Sequence, residues 1–178
     1  MKWTLLIASP FACLAASLPA SAQSVSATPG EGSPYARRPD NVIVPVDAAE
    51  PRGEAEWGYA DAVIDGDHVW LSGVVAGLRS GETMSDQEAA YDRAFRGLGD
   101  ILKRAGASFD GVVEITTFHT DLPGQIEAFK RVKHRYIREP FPAWTAIDID
   151  RLVPDRGLVE IKLIARRKAS VGSTANDQ

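Results

Sequence analysis

Residues 85–106 read SDQEAAYDRAFRGLGDILKRAG, and this stretch decides how the chain is expected to fold. Ser85 and Glu88 have the spacing of a capping box, in which each side chain satisfies a free backbone donor of the first helical turn. Small and apolar residues then recur at steps of three and four: Ala90, Ala94, Leu98, Ile101 and Ala105. Such a stripe is typical of a helix that packs one face on a core, and Gly106 supplies a left-handed residue to end it.

Strand patterns lie on both sides of this helix. Residues 112–120 are dense in β-branched side chains, and the turn Asp65-Gly66-Asp67 separates apolar segments 60–64 and 68–73, as in a hairpin. A second helix is predicted over residues 125–137, with this apolar face: Ile126, Phe129, Val132 and Tyr136. Three more strands are predicted, over residues 41–46 (at a sheet edge, because of Pro45), 143–149 and 158–165.

The predicted order after the edge strand is β-β-α-β-α-β-β. Strands that alternate with two helices imply one mixed sheet with both helices on one face. The second face of the sheet needs a cover, and the sequence offers no further helix for it. Another copy of the chain is therefore the expected partner, which predicts a homo-oligomer.

The first 22 residues have the three parts of a secretory signal peptide. Lys2 gives a charged start, an apolar stretch follows, and Ala20-Ser21-Ala22 forms a small-x-small cleavage site. Pro10 interrupts the apolar stretch, which is short for a bilayer span of about 20 residues; the alternative is an N-terminal membrane anchor. We expect cleavage after Ala22 and a periplasmic or secreted mature protein that is not bound to a membrane.

The rest of the chain is predicted to hold one domain between two unstructured segments. Residues 23–40 are rich in Ser, Gly, Pro and Ala and are expected to form a flexible tether. Residues 169–178 are expected to form a disordered tail. The folded domain is therefore predicted to span residues 41–168.

Composition limits the partners of this domain. The chain has 20 Lys and Arg against 24 Asp and Glu, a formal net charge of −4, whereas nucleic-acid binding needs clustered positive charge. No nucleic-acid partner is therefore predicted. Cys13 is the single cysteine and lies in the signal segment, so no disulfide or thiolate site is expected in the mature protein. His68, His119 and His134 form no cluster with closely spaced ligands, so neither a metal nor a cofactor is predicted.

Four segments, in chain order, resemble one known family. They are residues 58–63 with 71–73, residues 94–102 with 105–108, residues 113–122, and Phe141-Pro142-Ala143 with the strand after it and Val159-Glu160-Ile161. They resemble the Rid family, the reactive-intermediate deaminases once catalogued as "endoribonuclease L-PSP". The resemblance implies a chorismate-mutase-like α+β fold that forms homotrimers, with ligand pockets at the subunit interfaces.

The resemblance also implies roles for single residues. The family's deaminases hydrolyse 2-imino acids: an arginine after the Phe-Pro-Ala segment holds the substrate carboxylate, and a glutamate on the last strand orients the attacking water. A tyrosine and a Ser-Gly pair line the pocket. Glu160 matches the glutamate, Tyr59 the tyrosine, and Ser72 and Gly73 the pair. The arginine's position holds Trp144.

Trp144 cannot replace an arginine, because an indole has one N–H donor and no charge. A 2-imino acid is therefore expected to bind poorly. Trp144 either fills the pocket or offers a ligand its aromatic surface, and the next residue, Thr145, is placed in the pocket with it. Glu160 would act as an acid or base in an open cavity; the alternative is a buried carboxylate satisfied by backbone donors.

Two more residues are candidates for the pocket. Lys133 stands where the family commonly has an asparagine. It would serve as a substitute anion clamp, or it would lie in solvent as a helix lysine usually does. His119 ends the central strand, near where the family places its pocket.

Three functions compete. The first is an exported homotrimer that binds a small organic ligand, and the second is an imine or enamine hydrolase (deaminase) for a non-carboxylate substrate, in which Glu160 activates water. The third is a ribonuclease, which the acidic balance and the lack of a basic groove disfavour. The sequence favours the first, with the predicted ligand-binding residues Tyr59, Ser72, Gly73, His119, Lys133, Trp144 and Thr145.

Overall fold

The computed structural model describes residues 39–45 and 58–167. Both ranges belong to one structural unit, Arg37–Gln178. The predicted signal peptide, most of the predicted tether and the predicted tail lie outside the described residues. The predicted domain boundaries therefore stay predictions.

The described residues form one mixed sheet and two α-helices. The strands are β1 (Val42–Ile43), β2 (Ala62–Asp65), β3 (His68–Leu71), β4 (Val74–Gly77), β5 (Val112–His119), β6 (Ala143–Asp148) and β7 (Gly157–Arg166), and the helices are α1 (Gln87–Arg104) and α2 (Leu122–Tyr136). The sheet order is β1-β2-β3-β7-β5-β6, and β4 also pairs with β7. The β5–β6 pair is parallel and the others are antiparallel. The predicted α+β class and the edge position of the first strand are confirmed.

The sequence prediction missed β4. Strand β7 has ten residues and pairs with two strands along the same side, with β3 through residues 164–166 and with β4 through residues 157–161. Ser72 and Gly73 connect β3 to β4 and interrupt the ladder. The interruption lies beside the middle of β7, where Glu160 is located.

The first turn of α1 differs from the predicted capping box. A 3₁₀ turn, Met84–Asp86, precedes the helix, and the backbone N–H of Thr83 donates to the Asp86 carboxylate at 2.9 Å. The prediction that Ser85 and Glu88 cap the helix is therefore wrong. The Glu88 carboxylate instead accepts hydrogen bonds from Arg131 at 2.8 Å and Arg135 at 2.7 Å, which tie α1 to α2.

Helix α2 begins three residues before its predicted start. The Asp121 carboxylate accepts a hydrogen bond from the Gly124 backbone N–H at 3.2 Å, as an N-cap does. Pro123 occupies the first turn, where the absence of an N–H costs nothing. The cap orients the helix so that Phe129 and Val132 are fully buried.

Both helices pack on one face of the sheet. Their buried side chains, Leu98 and Phe129 among them, join one cluster with alternate residues of β7: Val159, Ile161, Leu163 and Ala165. The opposite face leaves large apolar side chains exposed, including Trp70, which is 46% exposed, Val113 and Ile147. The predicted placement of the helices is thereby confirmed. In the described part of the chain, neither helix is long and apolar enough to cross a membrane.

Candidate functional site

A cavity of about 710 Å³ opens on the sheet face that carries no helix. Strands β2, β3, β5 and β7 and the segment before β2 form its wall. Its lining residues are Tyr59, Ala60, Val63, Trp70, Leu71, Ser72, Gly73, Phe118, Glu160 and Lys162. Four of the eight residues predicted from the sequence are therefore brought together in one chain.

Glu160 faces this cavity from the centre of the sheet. It is paired with Val75 of β4 and Phe118 of β5, while its neighbours Val159 and Ile161 point to the helix side and are fully buried. Glu160 is half-buried and forms no hydrogen bond or ion pair with another described residue. The alternative that backbone donors satisfy this carboxylate is therefore wrong, and the group is free to bind water or a ligand.

Gly73 makes room for the Glu160 carboxylate. A Cβ atom on Gly73 would overlap Glu160 Oε1 and would lie 2.6 Å from the carboxyl carbon. The carboxylate therefore lies directly on the Cα of residue 73, in the gap between β3 and β4. A residue with a side chain at this position could not coexist with the observed carboxylate position.

We expect Gly73→Ala to displace the Glu160 carboxylate without removing it. Because the overlapping atoms are the end of a flexible side chain, the fold should lose less than about 1 kcal/mol. Any reaction that depends on the carboxylate position should slow by roughly 100-fold, the usual cost of a 1 Å misplacement. Thermal unfolding together with a hydrolysis assay measures both effects; unchanged turnover would contradict the assigned carboxylate position.

Tyr59 and Ser72 lie at the rim of the cavity. The Tyr59 side chain is 43% exposed. The Ser72 hydroxyl donates to the Ala60 carbonyl at 2.6 Å, and its backbone N–H donates to the Asp61 carbonyl at 2.9 Å. The Ser72 oxygen therefore keeps its acceptor capacity for a ligand, while the phenol of Tyr59 is available as a donor.

Six lining residues were not predicted from the sequence, and three of them have aromatic or charged side chains: Trp70, Phe118 and Lys162. Lys162 is two residues after Glu160 on one strand, so both side chains point to the same face. The alternation of side chains along β7 could therefore have identified Lys162 as a site residue. Trp70 and Phe118 depend on which strands flank β7, and a single sequence does not give that register.

Trp144 lies on the opposite face of the sheet from Glu160. Its register partner is the buried Ile115, its indole ring packs 6.0 Å from Phe129, and its Nε1 donates to Thr117 Oγ1 at 3.1 Å. Within one chain, Trp144 therefore neither fills nor lines the Glu160 cavity, and both roles predicted for it are wrong for a single chain. Thr145, next to it, is exposed on β6 and is not part of the cavity wall.

His119 is a buried core residue on the helix side, not a pocket residue of this chain. Its Nδ1 lies 3.2 Å from Gln125 Oε1 and its Nε2 lies 3.0 Å from Thr117 Oγ1. Burial lowers the pKa of His119, against a smaller upward effect of the Gln125 hydrogen bond. The neutral ring suits the contact with Gln125, in which Nδ1–H donates to the amide oxygen.

Lys133 is also buried, with 3% of its surface exposed, so the solvent position expected for a helix lysine is wrong. Its Nζ lies 4.4 Å from the centroid of the Trp144 ring and 5.0 Å from that of Phe141. It has no hydrogen bond or ion pair with another described residue. Cation–π attraction, worth about 0.5–2 kcal/mol, holds the ammonium in place of a counter-ion.

Lys133 should make the stability of the protein depend on pH. Burial, and then the charge of Lys130, lower its pKa below the ordinary value of 10.5. The unfolded chain therefore binds more protons between the lowered pKa and 10.5, and the stability rises with pH across that window. Lys133→Met should remove this rise and stabilise the protein at pH 7 by roughly 1 kcal/mol.

Urea unfolding of Lys133→Met at pH 7 and pH 10 measures this effect. Lys103→Met is the control, because Lys103 is an exposed lysine of α1. A Lys133→Met protein with the same pH dependence as the control would show that Lys133 is not the group responsible.

Among the described residues, no group of three or more His, Cys, Asp or Glu side chains is placed to hold a metal ion. The chemistry offered by the Glu160 cavity is thus a carboxylate, an ammonium, a phenol and aromatic rings.

Comparisons with known proteins agree with this architecture. The family model described as "Endoribonuclease L-PSP" matches residues 34–167. The RutC family protein YjgH of Escherichia coli (strain K12) is 35% identical over 113 residues, covering 63% of this chain and 85% of that protein. The human 2-iminobutanoate/2-iminopropanoate deaminase is 28% identical over 109 residues, covering 60% of this chain and 78% of that protein.

Solved structures give the same result. Protein YJGH has a TM-score of 0.59 at 31% identity, and the match covers 73% of this chain and 99% of that one. RidA from the Antarctic bacterium Psychrobacter sp. has a TM-score of 0.54 at 27% identity, covering 72% of this chain and 96% of that one. The chain therefore belongs to the Endoribonuclease L-PSP family, also known as the YjgF/Rid family.

Proposed function

We propose that this protein is an imine or enamine hydrolase that uses Glu160 to activate water. One observation carries the proposal: a carboxylate without a protein partner faces an open cavity and is not covered by Trp144 of its own chain. The relatives named as 2-iminobutanoate/2-iminopropanoate deaminases support the reaction class. The sequence favoured a binding protein over an enzyme, and the exposed carboxylate reverses that preference.

The proposed reaction needs one general base beside the water that attacks the imine carbon. The Glu160 carboxylate takes a proton from water as the water oxygen bonds to the imine carbon, and it passes this proton to the nitrogen, which receives the C=N electron pair. Glu160 then takes the hydroxyl proton of the resulting amino alcohol and returns it to the nitrogen as the C–N bond breaks, which releases ammonia and leaves a carbonyl. In this proposal Tyr59 donates a hydrogen bond to the reacting group, and Trp70 and Phe118 limit the water that surrounds it; all three line the cavity.

The direct test is hydrolysis of freshly generated imines by residues 23–178. An amino-acid oxidase produces 2-iminopropanoate or 2-iminobutanoate, and semicarbazide traps the imine that remains. The proposal predicts that catalytic amounts of the protein reduce the trapped imine. Equal trapping with and without a stoichiometric amount of protein, for both imines, would reject the hydrolase.

A non-catalytic ligand-binding protein is the second candidate. The observation in its favour is that Trp144 stands where the resemblance places the substrate-binding arginine. This candidate predicts calorimetric binding of 2-oxobutanoate, the hydrolysis product, with no acceleration of imine loss.

We further propose that the active form is a homotrimer in which other copies of the chain cover the helix-free sheet face. Exposed apolar side chains on that face, including Trp70, Val113 and Ile147, favour such a cover. Residues of another chain would then close the Glu160 cavity. Light scattering of the mature protein should give three times the chain mass, and a monomer at micromolar concentration would contradict the assembly.

Export is the remaining part of the proposal. It rests on residues 1–22, whose charged start, apolar stretch and Ala20-Ser21-Ala22 site are typical of a cleaved signal. Expression with the complete leader should yield a periplasmic or secreted protein that begins at Gln23. Retention of Met1 in the cytoplasmic fraction would exclude export.

A further inference from the structure

The Glu160 cavity contains a second charged group, the ammonium of Lys162. Glu160 and Lys162 are the charged residues of its lining. They are two positions apart on β7, so their Cα atoms are about 6.7 Å apart and both side chains leave the same face. A ligand in the cavity therefore meets one negative and one positive group.

Neither charge is neutralised within the chain. Lys162 makes no ion pair or hydrogen bond with any described residue, and the same holds for Glu160. On the neighbouring strand, the acid nearest to Lys162 is Glu114 of β5, which lies on the same face and accepts a hydrogen bond from Thr116 at 3.2 Å. Arg104 pairs with Asp61, the residue next to Ala60 of the lining, at 3.0 Å.

We propose that Lys162 binds an anionic group of the ligand while Glu160 activates water at the ligand's imine carbon. The proposal rests on the hydrolase function above and adds its specificity: the preferred substrates are small imines that carry a carboxylate or a similar anion. The positive charge comes from the strand that carries the catalytic carboxylate. The neutral Trp144 at the edge strand then does not exclude anionic substrates.

The chemistry of lysine shapes the expected selectivity. An ammonium is a compact charge with three donors on a flexible chain, whereas a guanidinium is a rigid fork. Lys162 should therefore accept anions at more than one distance from the imine carbon. A hydrogen bond to a charged group contributes about 1.5–3 kcal/mol, which corresponds to roughly 10- to 100-fold in affinity.

The test compares two imines that differ only in the anion. These are 2-iminobutanoate and propan-1-imine, which has the same carbon chain without the carboxylate and is made by oxidation of propylamine. Lys162→Met should lower kcat/KM for 2-iminobutanoate by about 10- to 100-fold, mainly through KM, and should leave propan-1-imine within about threefold. Lys162→Arg should restore most of the preference, and Lys130→Met on α2 is the surface control.

Equal losses on both imines, or an unchanged preference in Lys162→Met, would overturn the proposal. If the wild-type protein hydrolyses neither imine, the hydrolase fails, and binding decides the role of Lys162 separately. Calorimetry with 2-oxobutanoate and its uncharged amide should then show tighter binding of the anion, lost in Lys162→Met and kept in Lys162→Arg. Binding of the anion that does not depend on Lys162, or no binding, would reject the assignment.

Discussion

Glu160→Gln should lower kcat/KM for imine hydrolysis by about 10²- to 10⁴-fold, the range that a positioned general base contributes. The amide keeps the size and shape of the side chain, so the contact with Gly73 is preserved. It cannot take a proton from water, and the remaining activity would come from ligand positioning alone. Initial rates with 2-iminobutanoate measure the effect, with circular dichroism to show that the fold is intact.

The matched control is Glu127→Gln, a glutamate of α2 whose side chain is 70% exposed and pairs with Lys130. It should retain the wild-type rate. Glu160→Asp withdraws the carboxylate from the cavity by about 1.5 Å and should lie between wild type and Glu160→Gln. Hydrolysis by Glu160→Gln at the wild-type rate would remove the proposed base from the mechanism.

Phe129→Ala should destabilise the fold by about 3–5 kcal/mol, the usual loss for a fully buried phenylalanine. Phe129 has no exposed surface and packs against four rings. Their centroids lie 5.2 to 6.0 Å away: Tyr91, Phe95, His119 and Trp144. The residue therefore joins both helices to β5 and β6, and its loss leaves a cavity that these elements cannot fill together.

Phe141→Ala is the control for this prediction. Phe141 is 48% exposed and stacks on His134 at 5.1 Å, so its removal should cost about 1 kcal/mol or less, including the contact with Lys133. Urea unfolding gives both free energies. Similar losses for the two variants would show that the core is not centred on Phe129.

The sequence predicts the elements well where one periodic pattern extends over several turns. The apolar stripe of α1 contains Ala94 and Leu98, and the structure buries both. The prediction fails where the position of a residue on a helix and the charge of its side chain indicate opposite environments. Lys133 follows Phe129 by four residues, so helical periodicity places it on the buried face, whereas its charge suggests solvent. The aromatic rings of Phe141 and Trp144 hold the ammonium in the interior. Both rings belong to other segments, so the sequence pattern of α2 alone does not show them.

The sequence predicts which site residues share a face only when they lie on the same strand. Alternation on β7 is enough to place Glu160 and Lys162 on one face. The position of Trp144 on the other face depends on the pairing of β6 with β5 and of β5 with β7, which are contacts between distant parts of the chain. The resemblance named both Glu160 and Trp144 as pocket residues, and it did not state which of them one subunit brings together.

The location of 2-oxobutanoate in crystals of the mature protein tests the assigned site most directly. We expect the ligand to lie on the helix-free face, with its carbonyl carbon near the Glu160 carboxylate and its own carboxylate at Lys162 Nζ. A ligand held by Lys133, Phe141 and Trp144, without contact to Glu160, would contradict it.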